Sequence, residues 1–178
     1  MQRHHVLVRV SGVNQSFDDC YAVNYTRLTV QLFAFVGDMT EAQDLVQEAF
    51  TRAWPRWEKI SAYDDPVAWV RRVAWNLATS HWRRVRIALR HSSAQRPEIA
   101  EGPGPDRVAL IRALSRLPAR QRRAIVLHHL AGLSVAEVAR DCEVAEGTVR
   151  SWLHRGRTAM AEHLSTSESP KVVNHGRS

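Results

Sequence analysis

Apolar residues recur along most of this chain with the period of a helix. From Phe17 to Val36, Leu28, Leu32 and Phe35 fall on one side, and Gly37 ends the pattern. Asp38 to Thr40 supply short polar side chains suited to N-capping. The next pattern runs from about Glu41 to Trp57, where Ala42, Leu45, Val46, Ala49, Phe50, Ala53, Trp54 and Trp57 keep the i, i+3, i+4, i+7 rule. Asp64-Asp65-Pro66 predicts a third helix, because proline suits a first turn and carboxylates suit the positive end of the dipole. Trp69, Val70, Val73, Ala74 and Leu77 carry it on to about Arg90. Pro and Gly punctuation between His91 and Pro105 predicts a linker that could extend to roughly 50 Å. Helices are expected again over Asp106–Leu117 and Ala119–Leu130. No useful period-two alternation appears, so the expected fold class is all-α, with two small helical domains joined by a flexible linker. The boundaries are 16–90, 91–105 and 106–164. Residues 1–15 are read as a disordered leader, or as sequence upstream of the true start, and 165–178 as a fraying tail.

Residues 133–157 hold the most specific local signal. Ser134 followed three residues later by Glu137 is a capping box, so a helix should begin there. Val135, Val138 and Ala139 form one apolar stripe, and Val149 with Leu153 forms another after a break at Asp141 to Ala145. Two short helices with a tight turn, the second rich in Thr, Arg, Ser and His, predict a helix-turn-helix that offers its second helix to a DNA major groove.

Charge strengthens that expectation. The formal net charge is +7 over 178 residues. Its distribution matters more than its size: no acidic residue lies between Pro66 and Pro97, where Arg71, Arg72, Arg83, Arg84, Arg86, Arg90 and Arg96 are found. A merely solvated face usually mixes signs, so this cluster points to a polyanion. Cys20 and Cys142 lack metal spacing, and a reducing cytoplasm fits them. The Val6-Leu7-Val8 run is far too short for a membrane span. No His-Glu-x-x-His, phosphate loop or glycine-rich dinucleotide turn is present, so no enzyme, metal or cofactor is expected.

Three runs occur in order: Asp44-Leu45-Val46-Gln47-Glu48-Ala49-Phe50-Thr51-Arg52-Ala53-Trp54, then Trp69-Val70-Arg71-Arg72-Val73-Ala74-Trp75-Asn76-Leu77-Ala78, then Glu146-Gly147-Thr148-Val149-Arg150-Ser151. Together they resemble a bacterial sigma factor of the sigma-70 family, in the compact extracytoplasmic-function group that keeps only sigma domains 2 and 4. The resemblance covers about Phe17 to Leu164. It implies docking of Asp44, Gln47, Glu48 and Arg52 on the clamp helices of the largest subunit of core RNA polymerase. It implies that Ile60, Ser61, Ala62, Tyr63, Val73 and Asn76 form the pocket region for an unstacked −10 base, with Arg71, Arg72, Arg83, Arg84 and Arg86 along the phosphates. An aromatic residue is often found where Ile60 stands. The same resemblance implies −35 duplex contacts from His128, Glu146, Thr148, Arg150, Ser151, His154, Arg155 and Arg157. Arg150 is the expected base reader, because arginine bidentate to guanine is the commonest direct contact; Arg155 and Arg157 are expected on phosphates. Glu143 stands in the turn where glycine is common, and Trp152 replaces the usual basic residue. Further implied partners are the polymerase flap and an anti-sigma factor, with no membrane insertion, no functional homo-oligomer, and a cytoplasmic, nucleoid-associated location.

A conventional helix-turn-helix regulator is the alternative. It accounts for residues 133–157 but leaves the Asp44 to Trp54 pattern and the acid-free arginine-rich helix unexplained.

Overall fold

The computed structural model describes residues 16–91 and 105–167. The expectations for residues 1–15, 92–104 and 168–178 lie outside the described residues. All the elements among the described residues are helical, in two units.

Helix α1 spans Phe17–Val36. Ser16 caps it by accepting from the Asp19 N–H at 3.1 Å, and Asp18 and Asp19 complement the dipole. Gly37 ends it at φ 87°, its N–H donating to the Phe33 carbonyl; a side chain there would be strained. Helix α2, Met39–Ala53, is capped by Asp38, which accepts from the Glu41 N–H at 2.8 Å. The expected single helix to Trp57 does not form. Pro55 has no N–H for the helical ladder, so Trp54–Arg56 tighten into a 3₁₀ turn before the short α3, Trp57–Ser61. Trp54 consequently leaves the apolar stripe and is 61% exposed. Helix α4, Pro66–His91, has 26 residues and is about 39 Å long.

The second unit holds α5 (Pro105–Arg116), α6 (Ala119–Ile125), α7 (Val135–Cys142) and α8 (Glu146–Ser167). The expected helix to Leu130 finishes instead in one π-type turn, Val126–Leu130, from which Gly132 at φ 75° redirects the chain. Helix α8 continues through Ser167, past the expected boundary at Leu164. It packs on α5, α6 and α7, and comes so close to α6 that a Cβ on Gly156 would lie 2.9 Å from Ile125 Cγ1.

In the first unit α1, α2 and α4 pack pairwise around Leu28, Leu32, Val46, Phe50, Val70 and Trp75. A helix covered on one side should alternate buried and exposed residues. Yet Gln31, Leu32, Phe33, Ala34 and Phe35 are all buried. The reason is that α5 and the π-type turn of the second unit cover the other side of α1, so one apolar cluster runs through both units.

Candidate nucleic-acid interface

Helix α2 buries Leu45, Val46, Ala49, Phe50 and Ala53 and leaves Asp44, Gln47, Glu48 and Arg52 exposed together. The exposed strip is internally ordered. Arg52 Nε donates to Glu48 Oε1 at 2.7 Å, and Gln47 Oε1 accepts from the Tyr21 hydroxyl at 3.2 Å. Tyr21 belongs to an aromatic rim with Phe17, Phe50 and Trp54 that adjoins the strip. That rim was not anticipated, although the spacing of Phe17 and Tyr21 on one helix face could have suggested it.

On α4, exposed Arg72, Asn76 and Ser80 are four apart, and Arg83, Arg84 and Ile87 each lie three or four positions from another member, which makes one outward stripe. Ser80 and Ile87 are the members that sequence reasoning missed; helical spacing from Asn76 would have included them. The side chain of Arg86 lies outside the described residues. Ser61 is half-buried, with its hydroxyl donating to the Glu58 carbonyl at 3.1 Å, while Ala62 and Tyr63 are exposed.

Three of the expected −10 residues lie off the outward stripe. Ile60 is 1% exposed and part of the core, because the one-turn α3 rotates it inward. Val73 is half-buried against the core. Arg71 is not on the outward stripe at all. It is buried, donating from Nε to Asp141 Oδ2 of α7 at 2.6 Å. Trp75 is fully enclosed, its ring edge-on to Phe35 at 5.0 Å, and Trp82 packs on the same cluster.

The helix-turn-helix forms as its pattern requires. The Ser134–Glu137 capping box closes reciprocally: Glu137 N–H donates to Ser134 Oγ at 3.2 Å, and Ser134 N–H to Glu137 Oε2 at 2.8 Å. These bonds from Ser134 hold the Glu137 carboxyl below its ordinary value. Glu143 occupies the left-handed turn at φ 56°. Helix α8 buries Val149 and Leu153. It exposes Glu146, Arg150, His154, Arg155 and Arg157, with Thr148 and Ser151 half-buried at the edge of that face. Arg150 Nη2 donates to Glu146 Oε2 at 2.6 Å. Trp152 is half-buried against the core. His128 holds the entry to the motif, with Nδ1 2.7 Å from the Leu133 carbonyl, which commits one of its two ring nitrogens. Burial, then His128 and Arg157, lower the pKa of His129 beside it. Among the described residues no group of His, Cys, Asp or Glu could hold a metal, and no helix is long and apolar enough to cross a membrane. Both cysteines are free thiols, and burial raises that of Cys20 to about 11.

Family models described as Sigma-70 region 2 and Sigma-70, region 4 match residues 20–87 and 107–160. The RNA polymerase sigma-E factor of Streptomyces antibioticus is 34% identical over 136 residues, covering 75% of this chain and 76% of that protein. The ECF RNA polymerase sigma factor SigC of Mycobacterium tuberculosis (strain CDC 1551 / Oshkosh) is 33% identical over 133 residues, covering 71% and 72%. The chain belongs to the extracytoplasmic-function group of the sigma-70 family. This sigma factor is also similar to a solved structure, the sigma factor RpoE in complex with the anti-sigma factor NepR from Bartonella quintana. The TM-score is 0.73 at 25% identity, covering 84% of this chain and 96% of that one. CnrH, solved with the cytosolic domain of CnrY, shares the fold at a TM-score of 0.63 and 22% identity, over 89% of this chain and 93% of that one.

Proposed function

We propose that this sigma factor grips the clamp helices of the largest subunit of core RNA polymerase through Asp44, Gln47, Glu48 and Arg52. Residues 16–90 act as the polymerase-docking and −10-reading domain, 106–164 as the −35-reading domain that also rests on the polymerase flap, and 91–105 as the connection. The observation that carries this reading is the placement of two polar surfaces on different units, both outward: the α2 strip and the first turns of α8. The α4 stripe of Arg72, Asn76, Arg83 and Arg84 follows the melted strand. Captured unstacked bases repay part of the cost of strand separation. Arg150 reads a base in the −35 major groove, while Arg155 and Arg157 hold phosphates. Polymerase supplies all the bond-making chemistry; this chain supplies promoter choice and strand opening.

Each reading head alone makes few contacts. Fixing both on polymerase raises the effective concentration of the second once the first is bound. An inhibitor of the anti-sigma class, as in the RpoE structure, is the proposed regulator, and the factor works as a monomer in the cytoplasm. Run-off transcription from a genomic promoter library, with core polymerase and the full chain, tests the reading. Start sites that depend on the added chain are expected, and none across the library would overturn it.

A further inference from the structure

Four glycines fall among the described residues, and three of them have a reason inside the fold. Gly37 and Gly132 hold φ of 87° and 75°, which side chains rarely adopt. Gly156 lets α8 approach α6, where a Cβ would crowd Ile125. Gly147 has neither reason. It lies inside α8 with no positive φ, and a Cβ built on it would meet no atom of the described residues within 4 Å. Glycine weakens a helix relative to alanine, because it loses more backbone freedom on folding. The fold alone would be at least as stable with alanine at this position.

The place of Gly147 on the helix gives its bareness a use. Val149, Leu153 and Gly156 face the core, and Gly147 is exposed away from them. Arg150, Ser151 and His154 lie three, four and seven residues further on, the spacing of one helix face. Side chains on a helix lean toward its N-terminus, so Arg150 and Ser151 reach out over the turn that holds Gly147. The outward face of α8 therefore begins with a position that has backbone and no side chain, beneath the residues proposed to meet the bases.

We propose that Gly147 is the point of closest approach between α8 and the −35 duplex, and that its missing side chain lets the helix seat deeply enough for Arg150 to bond a base edge with both arms of its guanidinium. The inference rests on the −35 reading above and adds a specificity-determining residue to it. A Cβ extends about 1.5 Å from the backbone. Bidentate bonds hold only over donor–acceptor distances of about 2.7–3.2 Å, so lifting the helix by a fraction of that length breaks the pair. Arg155 and Arg157 reach phosphates on long flexible side chains and follow such a shift without loss. Gly147 is thus a positioning residue that acts through Arg150.

The test uses full-length Gly147→Ala, Arg150→Ala and the double variant, each loaded on core polymerase. Equilibrium binding is measured on a promoter drawn from the run-off library and on the same promoter with its −35 element replaced. Gly147→Ala should melt at or above the wild-type temperature, yet bind the intact promoter about tenfold more weakly, within the range that a bidentate arginine contributes. Its loss on the replaced element should stay below about twofold, since phosphate contacts carry no sequence information. The double variant should bind no more than about twofold more weakly than Arg150→Ala, because residues that act through one contact do not add. A Gly147→Ala variant that melts well below wild type would show the glycine serving the fold, and overturns the proposal. So does binding within twofold of wild type on the intact promoter, an equal loss on both promoters, or a double variant whose losses multiply. Wild-type holoenzyme separates this inference from the one beneath it. If it fails to distinguish the two promoters, the −35 reading itself falls; if it distinguishes them and Gly147→Ala does so equally well, only the role of Gly147 falls.

Discussion

Arg150 stands one turn into α8 with its side chain 64% exposed, and Glu146, itself 47% exposed, holds Nη2 at 2.6 Å. An exposed i, i+4 pair of this kind is worth about 0.3–0.5 kcal/mol. A bidentate arginine–guanine contact is worth about 1–3 kcal/mol of discrimination, so the pair should yield when DNA arrives. Before that, the Glu146 carboxylate holds the guanidinium along the exposed face. Arg150→Ala should therefore weaken holoenzyme binding at a preferred −35 element by about 5- to 150-fold, which is the same 1–3 kcal/mol. It should change binding little where that base is already wrong, so the preference flattens. Arg157→Ala should weaken every sequence alike and reduce the salt slope by about one. The assay is equilibrium binding of reconstituted holoenzyme to a panel of promoters varied at one −35 position at a time, repeated at several salt concentrations. Equal losses for both variants on every promoter would refute the division between base reader and phosphate ligand.

Three further outcomes follow from the fold. Glu143→Gly should stabilise the protein by about 0.5–1 kcal/mol, seen as a rise of about 2–3 °C in Tm, because the left-handed turn at φ 56° suits glycine; a lower Tm would show the turn unstrained. Ser134→Ala should cost about 1 kcal/mol by removing the α7 cap. The folded Glu137 carboxyl sits below its ordinary value of 4.5, so wild-type capping stability is complete above that pH and fades as pH falls through the folded value. Ser134→Ala should lose less over that acid window, and parallel melting curves for both proteins would contradict the coupling. Ile60→Ala should cost about 2–5 kcal/mol of stability in a chemical denaturation series, as a core truncation does, and an unchanged midpoint would return Ile60 to the surface.

Helices with one buried face could be read from the chain with little error. Phe17–Val36 is bounded by Ser16 and Gly37, and the Ser134–Glu137 box marks α7, because caps are local chemistry written within four residues. The turn at Glu143 was legible through the resemblance, which places a glycine position there. Misplaced residues trace to events that periodicity does not encode. Pro55 interrupts the ladder and swings Trp54 outward, although Trp54 obeys the helical spacing. Ile60 follows that break and turns inward. The contact between the two units was hidden for a different reason. Arg71 and Asp141 are 70 residues apart, and no local pattern says which of two adjacent arginines will find a distant carboxylate. One trace was present: the run Leu32-Phe33-Ala34-Phe35-Val36 is more apolar than a single packed face needs, and the surplus is what the second unit covers.

The central claim is that this chain acts by being gripped at the α2 strip, and capture by polymerase tests it most directly. Tagged full-length protein is mixed with purified core RNA polymerase lacking any sigma factor, at low ionic strength, and the bound stoichiometry is measured on size exclusion. Stoichiometric retention is expected, abolished by Gln47→Ala with Arg52→Ala and unaffected by Arg150→Ala. Failure of the wild-type chain to co-elute, or retention of the strip variant at the wild-type level, would contradict the account.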